Sequence, residues 1–124
     1  MNLRNLFRVV AVIGILSGLG YIFAPQATSV VDLDPFGLYA IQQIGASNVA
    51  IAVLLFLVSG MESLPARQAG ATTVIVMQLA SGIVHLLAVL GGVIPSGAGW
   101  FGVVFSLVFV LAFGYFRFIR PETA

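Results

Sequence analysis

Hydrophobic positions run through this chain in four long stretches, Leu6–Phe23, Phe36–Ser59, Gln68–Leu90 and Trp100–Phe118. Short segments rich in proline, glycine and charged residues separate them. Each stretch reaches about 18 residues or more, which as an α-helix crosses the roughly 30 Å hydrocarbon core of a bilayer. The breaks carry recognisable stops: Pro25 after the first stretch, Gly60 after the second, and Gly91-Gly92 after the third. Pro95, Ser96 and Gly97 supply turn residues before the fourth. The pattern predicts an all-α fold, an integral membrane antiparallel four-helix bundle that occupies residues 1–124 as one four-span domain.

The placement of arginine orients that bundle. Arg4 and Arg8 stand at the start of the first helix, Arg67 lies between the second and third, and Arg117 and Arg120 close the fourth. With four spans all of them fall on one side, while Asp32 and Asp34 fall on the other; three or five spans would scatter the arginines. The positive-inside rule then predicts a multi-pass protein of the cell (inner) membrane with both termini cytoplasmic, N-in and C-in. Arg4 and Arg8 ahead of an apolar run also resemble the start of a signal peptide. No small-x-small cleavage site follows in Phe23-Ala24-Pro25-Gln26-Ala27, so a retained first helix is expected.

Composition agrees with a lipid solvent. Hydrophobic residues make up 60% of the 124 positions and charged residues 7%, against about a quarter charged in soluble domains. A formal net charge of +1, without a basic run interleaved with aromatics, sets nucleic-acid binding aside. The chain has no cysteine, which removes disulfides, thiolate nucleophiles and cysteine-based metal sites.

The informative positions are the polar ones inside the apolar stretches. The second stretch carries Gln42, Gln43, Ser47 and Asn48, and the third carries Gln78, Ser81 and His85. Gln78, Ser81 and His85 follow an i, i+3, i+7 spacing that puts them on one helix face. If the second and third helices run antiparallel, residues at equal depth sum to roughly 126–128. Gln42 and Gln43 then lie level with His85, Ser47 with Ser81, and Asn48 with Gln78. An amide left alone in hydrocarbon costs several kcal/mol, so these groups are expected to turn inward. They serve either as interhelical hydrogen-bonding glue or as the lining of a ligand-binding pocket for a lipid, a quinone or an ion. A double-coordinated haem needs a second imidazole and a zinc site needs three or four ligands. His85 is the one histidine, so no cofactor and no metal are predicted.

Two further patterns concern packing. Gly14 and Gly18 form a small-xxx-small pair that admits a close helix–helix approach, inside the bundle or across a dimer. Phe101, Phe105, Phe109 and Phe113 recur every fourth residue, as lipid contact, bundle packing or a partner ridge. Asp32 and Asp34 lack the further oxygen ligands of a cation site and read as loop acids, Asp34-Pro35 being an ordinary way to begin a helix. Asp32, Asp34, Glu62 and Glu122 all fall at ends or loops, so no carboxylate lies within a predicted span. This speaks against a proton-coupled drug exporter. No nucleophile–base–acid set is visible either.

Taken together, Gly18 to Phe23-Ala24-Pro25, Gln43-x-Gly45-x-x-Asn48-x-Ala50 and Gly91-Gly92-x-x-Pro95 before Trp100 give a chain that resembles the DoxX-like group of small four-helix bacterial membrane proteins. The likeness runs over nearly the whole chain. Relatives carry Arg-x-x-Gly where this chain has Gln42-Gln43-Ile44-Gly45, and an acidic residue where it has His85. The resemblance implies an integral membrane accessory protein, some relatives being linked to quinone-dependent oxidation. The expectation is a small protein, not an enzyme, that acts as an accessory or assembly subunit of a membrane complex. Its partners would be the lipid bilayer and other membrane subunits or a homodimer, and not nucleic acid. The alternative is a module that binds or transports a small hydrophobic ligand.

Overall fold

A computed structural model describes residues 2–119; Arg120 and Glu122 lie outside that range. The described chain is all α-helical: α1 Leu3–Phe23, α2 Pro25–Thr28, α3 Pro35–Gly60, α4 Leu64–Leu90 and α5 Ser96–Gly114, continued by a π-helical turn over Tyr115–Ile119. α1, α3, α4 and α5 with its π turn are each long and apolar enough to cross a membrane. Each also keeps large apolar residues on its surface: Leu16 on α1, Leu54 on α3, Val84 on α4 and Leu111 on α5. Water would penalise such faces by about 25 cal/mol per Å², whereas lipid does not. The chain is a multi-pass membrane protein.

Helix limits follow local chemistry. α3 begins at Pro35 because the Asp34 carboxylate accepts the Gly37 N–H at 2.6 Å, and Pro35 at the first position has no N–H to satisfy. Asp34 is therefore a helix cap rather than only a loop acid. α4 begins at Leu64, earlier than the predicted Gln68, because Ser63 caps it through the Ala66 N–H at 3.4 Å and Pro65 fits the first turn. α5 likewise starts at Ser96, ahead of Trp100, directly after Pro95. The segment between α1 and α3, expected as loop, contains the single turn α2. Thr28 Oγ1 closes it on the carbonyls of Ala24 and Pro25. α4 ends as its Gly-Gly pair predicts. Gly92 takes φ +66°, and the N–H groups of Gly92 and Val93 donate to Val89 and Ala88. This arrangement satisfies two terminal carbonyls and needs a residue at ease in the left-handed region.

The helices form two hairpins, residues 4–60 and residues 61–119. In the first, α1 and α3 run antiparallel in backbone contact. A Cβ on Gly14 would meet Ala52, and one on Gly18 would lie 2.7 Å from the Gly45 carbonyl oxygen. Gly45 returns the contact, a Cβ there falling 2.7 Å from the Gly18 oxygen. Two helices come this close only where both lack a side chain. In the second hairpin α4 and α5 run antiparallel, Val89 meeting Gly99, His85 meeting Gly102 and Gly82 meeting Ser106.

Arg67 ties the start of the second hairpin. Its Nη1 donates to the Met61 carbonyl at 2.6 Å and the Glu62 carbonyl at 3.0 Å, which makes the buried guanidinium a staple for the segment leading into α4. Charge-assisted hydrogen bonds are worth about 1.5–3 kcal/mol. Arg67→Ala is expected to lower unfolding stability in detergent by about 2 kcal/mol. Arg67→Lys should lose about half of that, since the shorter lysine side chain does not carry its ammonium as far as the position of Nη1. Equal loss for both variants would show that the positive charge by itself contributes nothing and that the guanidinium geometry makes the staple.

Candidate functional site

The polar residues of the first hairpin are engaged locally. Gln42 Nε2 donates across to the Ile22 carbonyl of α1 at 3.1 Å. This bond continues the line of α1–α3 contact beyond Gly18 and Gly45, one turn nearer the loop. Ser47 Oγ donates to the Gln43 carbonyl at 3.0 Å, inside its own helix. Asn48 is half-buried, and its backbone oxygen lies 3.7 Å from where a Gly14 Cβ would stand. Gln43 is exposed. Of the polar groups on α3, Gln42 thus finds its partner on the helix before it.

On α4, Gln78, Ser81 and His85 are half-buried. His85 Nδ1 lies 2.8 Å from the Ser81 carbonyl oxygen and 3.5 Å from the Ser81 hydroxyl. A carbonyl oxygen can only accept, so Nδ1 carries the proton. A neutral ring then leaves Nε2 as a bare acceptor. The ring also lies against the backbone of Gly102. A Cβ at Gly102 would come within 2.6 Å of both Cγ and Nε2 of the imidazole. One turn away, a Cβ on Gly82 would stand 3.3 Å from Ser106 Cβ. Together these contacts make a notch in which α5 presents small residues and α4 fills the room with a histidine.

The phenylalanine series on α5 divides. Phe101 is 69% exposed and Phe105 38%, whereas Phe109 is 9% exposed and Phe113 fully buried. Successive residues four apart advance about 40° around a 3.6-residue helix, so the stripe turns from the outside to the inside within three steps. Phe101 and Phe105 stack with centroids 5.8 Å apart, and Phe105 meets Phe109 edge-on at 4.7 Å. Only the first half of the series is available to a partner.

Gly102, Ser106 and Gly99 escaped the sequence reading as partners of α4. The available signal was their own i, i+3, i+7 spacing, with small residues exactly where a bulky helix face would otherwise stand. Among the described residues no group of three or more His, Asp or Glu comes together to hold a metal. The hydrogen-bonding chemistry on offer is that of one oriented imidazole and several amides.

Comparison with protein-family models, with curated proteins and with solved structures finds no match. What fold and site define is a class, a multi-pass membrane protein built from two antiparallel helical hairpins.

Proposed function

We propose that the protein is a non-catalytic accessory or assembly subunit of a membrane complex, with both termini in the cytoplasm. The observation that carries this reading is the exposed stack of Phe101 and Phe105 on α5. It offers a pre-formed aromatic ridge to a neighbouring transmembrane helix, and aromatic pairs contribute about 0.5–1.5 kcal/mol beyond area burial. The connections support it. Residues 61–63 and 91–95 are short connections that leave little chain between the helices they join. The likeness of Gln43-x-Gly45-x-x-Asn48-x-Ala50 to the DoxX-like pattern agrees with an accessory role. Gln42 and His85 act as structural hydrogen-bonding groups within their hairpins.

Within each hairpin the arginines gather at one end. Arg4 and Arg8 open α1, and Arg67 and Arg117 stand at the start of α4 and beyond the end of the antiparallel α5. In each hairpin taken by itself, that distribution supports a cytoplasmic assignment of the arginine-bearing end.

The chain has no cysteine, so single-cysteine variants test both statements without background. Asp32→Cys should react with a membrane-impermeant maleimide on intact cells or spheroplasts, and Glu62→Cys only after permeabilisation. A photo-crosslinker attached at Phe101→Cys should give an adduct of one defined protein mass, and one at Leu16→Cys only lipid. Lipid adducts at both positions would overturn the subunit reading. Reversed labelling would overturn the orientation.

A further inference from the structure

We infer that α3 pairs side by side with α3 of a second copy of this chain, through an interchain hydrogen-bonded pair of Gln43 carboxamides. The inference concerns a different helix from the Phe101 ridge and rests only on α3 spanning the bilayer, so it stands or falls apart from the subunit reading. Gln43 is exposed. Its neighbour Gln42 donates to Ile22, and the Ser47 hydroxyl donates to the Gln43 backbone carbonyl. The Gln43 side chain itself has no hydrogen-bond partner among the described residues. Nor does α1 lie on its side of the helix. At about 100° per residue, Gln43 stands opposite Gly45 and Ala52, the two residues of α3 that meet Gly18 and Gly14.

Depth makes this exposure costly. α3 has 26 residues, about 39 Å at 1.5 Å each. A core of about 30 Å leaves roughly 4–5 Å of helix outside the hydrocarbon at each end. Gln43 stands eight residues after Pro35, about 12 Å along the helix and so about 7–8 Å inside the hydrocarbon. Its three side-chain carbon–carbon bonds, about 1.5 Å each, do not carry the amide back to the boundary. Lipid tails neither donate nor accept, so the group costs free energy until another polar group meets it at that level. The residues around it describe a seam. Gln43, Ser47, Ala50, Leu54 and Leu57 follow one another at intervals of 4, 3, 4 and 3, the repeat by which two parallel helices pack in a left-handed pair. All five are exposed. Ala46, also exposed, lies beside Ala50, and these small side chains let a second backbone approach closely.

Symmetry decides what the occupant is. A carboxamide carries both a donor and an acceptor, so two identical ones satisfy each other. Copies inserted the same way round and related by a two-fold axis along the membrane normal bring each residue of the seam level with its own counterpart. Gln43 then meets Gln43 of the second copy at the same depth, and the small residues Ser47 and Ala50 meet below it. A polar residue at one seam position also fixes register and partner number, because any slip leaves both amides in hydrocarbon.

Cysteine crosslinking in native membranes tests the seam, since the chain has no cysteine of its own. Under mild oxidation Ala50→Cys should give a disulfide-linked species of twice the chain mass. Phe56→Cys, also exposed but about 140° around the helix from Gln43, should stay a single chain. Energy transfer between copies labelled at Glu62→Cys, followed as vesicle lipid is added, measures the pairing itself. Gln43→Leu should weaken it about ten-fold, the effect of the lost amide pair, and Gln43→Asn, which keeps a carboxamide, should retain most of it. A leucine there suits lipid and leaves the α1 face of the helix untouched. Chains that remain single at every dilution overturn the inference, as does an Ala50→Cys adduct with a different protein. Equal crosslinking at Phe56→Cys, or energy transfer that Gln43→Leu leaves unchanged, overturns it too. The adduct expected at Phe101→Cys is read separately, so either result can fail without the other.

Discussion

Gly18→Val separates α1 from α3 and gives the larger of the two strongest effects expected for this protein. The new Cβ would lie 2.7 Å from both the Gly45 oxygen and Val49 Cγ2, and 3.1 Å from the Val49 nitrogen. Two of those neighbours are backbone atoms, so no rotamer change relieves the clash and the helices must move apart. Overpacking costs about 1–3 kcal/mol where side chains can adjust. Here about 3 kcal/mol is expected, together with loss of the Gln42–Ile22 hydrogen bond that depends on the same approach. Gly45→Ala should do comparable damage, as its Cβ would meet the Gly18 oxygen at 2.7 Å and Tyr21 Cβ at 2.9 Å. The double variant Gly18→Ala with Gly45→Ala should cost less than the sum, since helices already parted by one methyl have room for the second. Gly97→Ala is the control. Nothing stands within 4 Å of a Cβ there, and better helix propensity should leave stability unchanged or raise it by up to about 1 kcal/mol. Reversible unfolding in mixed micelles measures all of these. A Gly18→Val protein as stable as the parent would show that the close approach is not what holds the hairpin.

The spans were legible because hydrophobic length against bilayer thickness is a one-dimensional quantity. The same holds for stops that act through their own backbone, such as Pro25, Asp34-Pro35 and Gly91-Gly92. Gly14 and Gly18 were visible as a packing face, yet their counterparts were not. The choice of Gly45 and Ala52 is made by the antiparallel register of α1 and α3, which depends on where α2 and the following turn place the start of α3. The one-turn helix α2 rests on Thr28 reaching back to two carbonyls, a local bond with no periodic signature.

The polar cluster was legible as residues and less so as contacts. Level-counting between the second and third predicted helices directed attention to amide pairs, while Gln42 reaches α1 at Ile22. Sequence spacing states which residues share a face, and it is silent on which neighbour that face meets. His85 illustrates the same limit. Its i, i+3, i+7 relation to Gln78 and Ser81 was plain, but the Ser81 bond that fixes its proton lies within the helix, and its cradle is a glycine seventeen residues on. The i+4 spacing of the four phenylalanines already describes a stripe that turns slowly around the helix; which of its members the fold covers, Phe109 and Phe113, depends on the packing of α5.

The second large effect is at that cradle. Gly102→Ala drives a methyl into the His85 ring, within 2.6 Å of Cγ and Nε2. The imidazole is not a flexible side-chain end; it is pinned through Nδ1 to Ser81 at 2.8 Å. Relief therefore requires the ring to leave its site, breaking that bond, or α5 to shift away from α4. A destabilisation of about 2–3 kcal/mol is expected, combining overpacking with a lost hydrogen bond. His85→Ala by itself should cost a similar amount by leaving a cavity. The two changes are complementary in shape, so the double variant should be more stable than the sum of the two single effects implies, with a coupling of about 2–3 kcal/mol. In the His85→Ala background, Gly102→Ala should be nearly neutral. Gly82→Ala offers a graded comparison one turn away, because its Cβ would meet Ser106 Cβ at a milder 3.3 Å and should cost less. Strict additivity of Gly102→Ala and His85→Ala in the unfolding cycle would mean that glycine and ring do not touch, and the orientation assigned to Nε2 would fall with that contact.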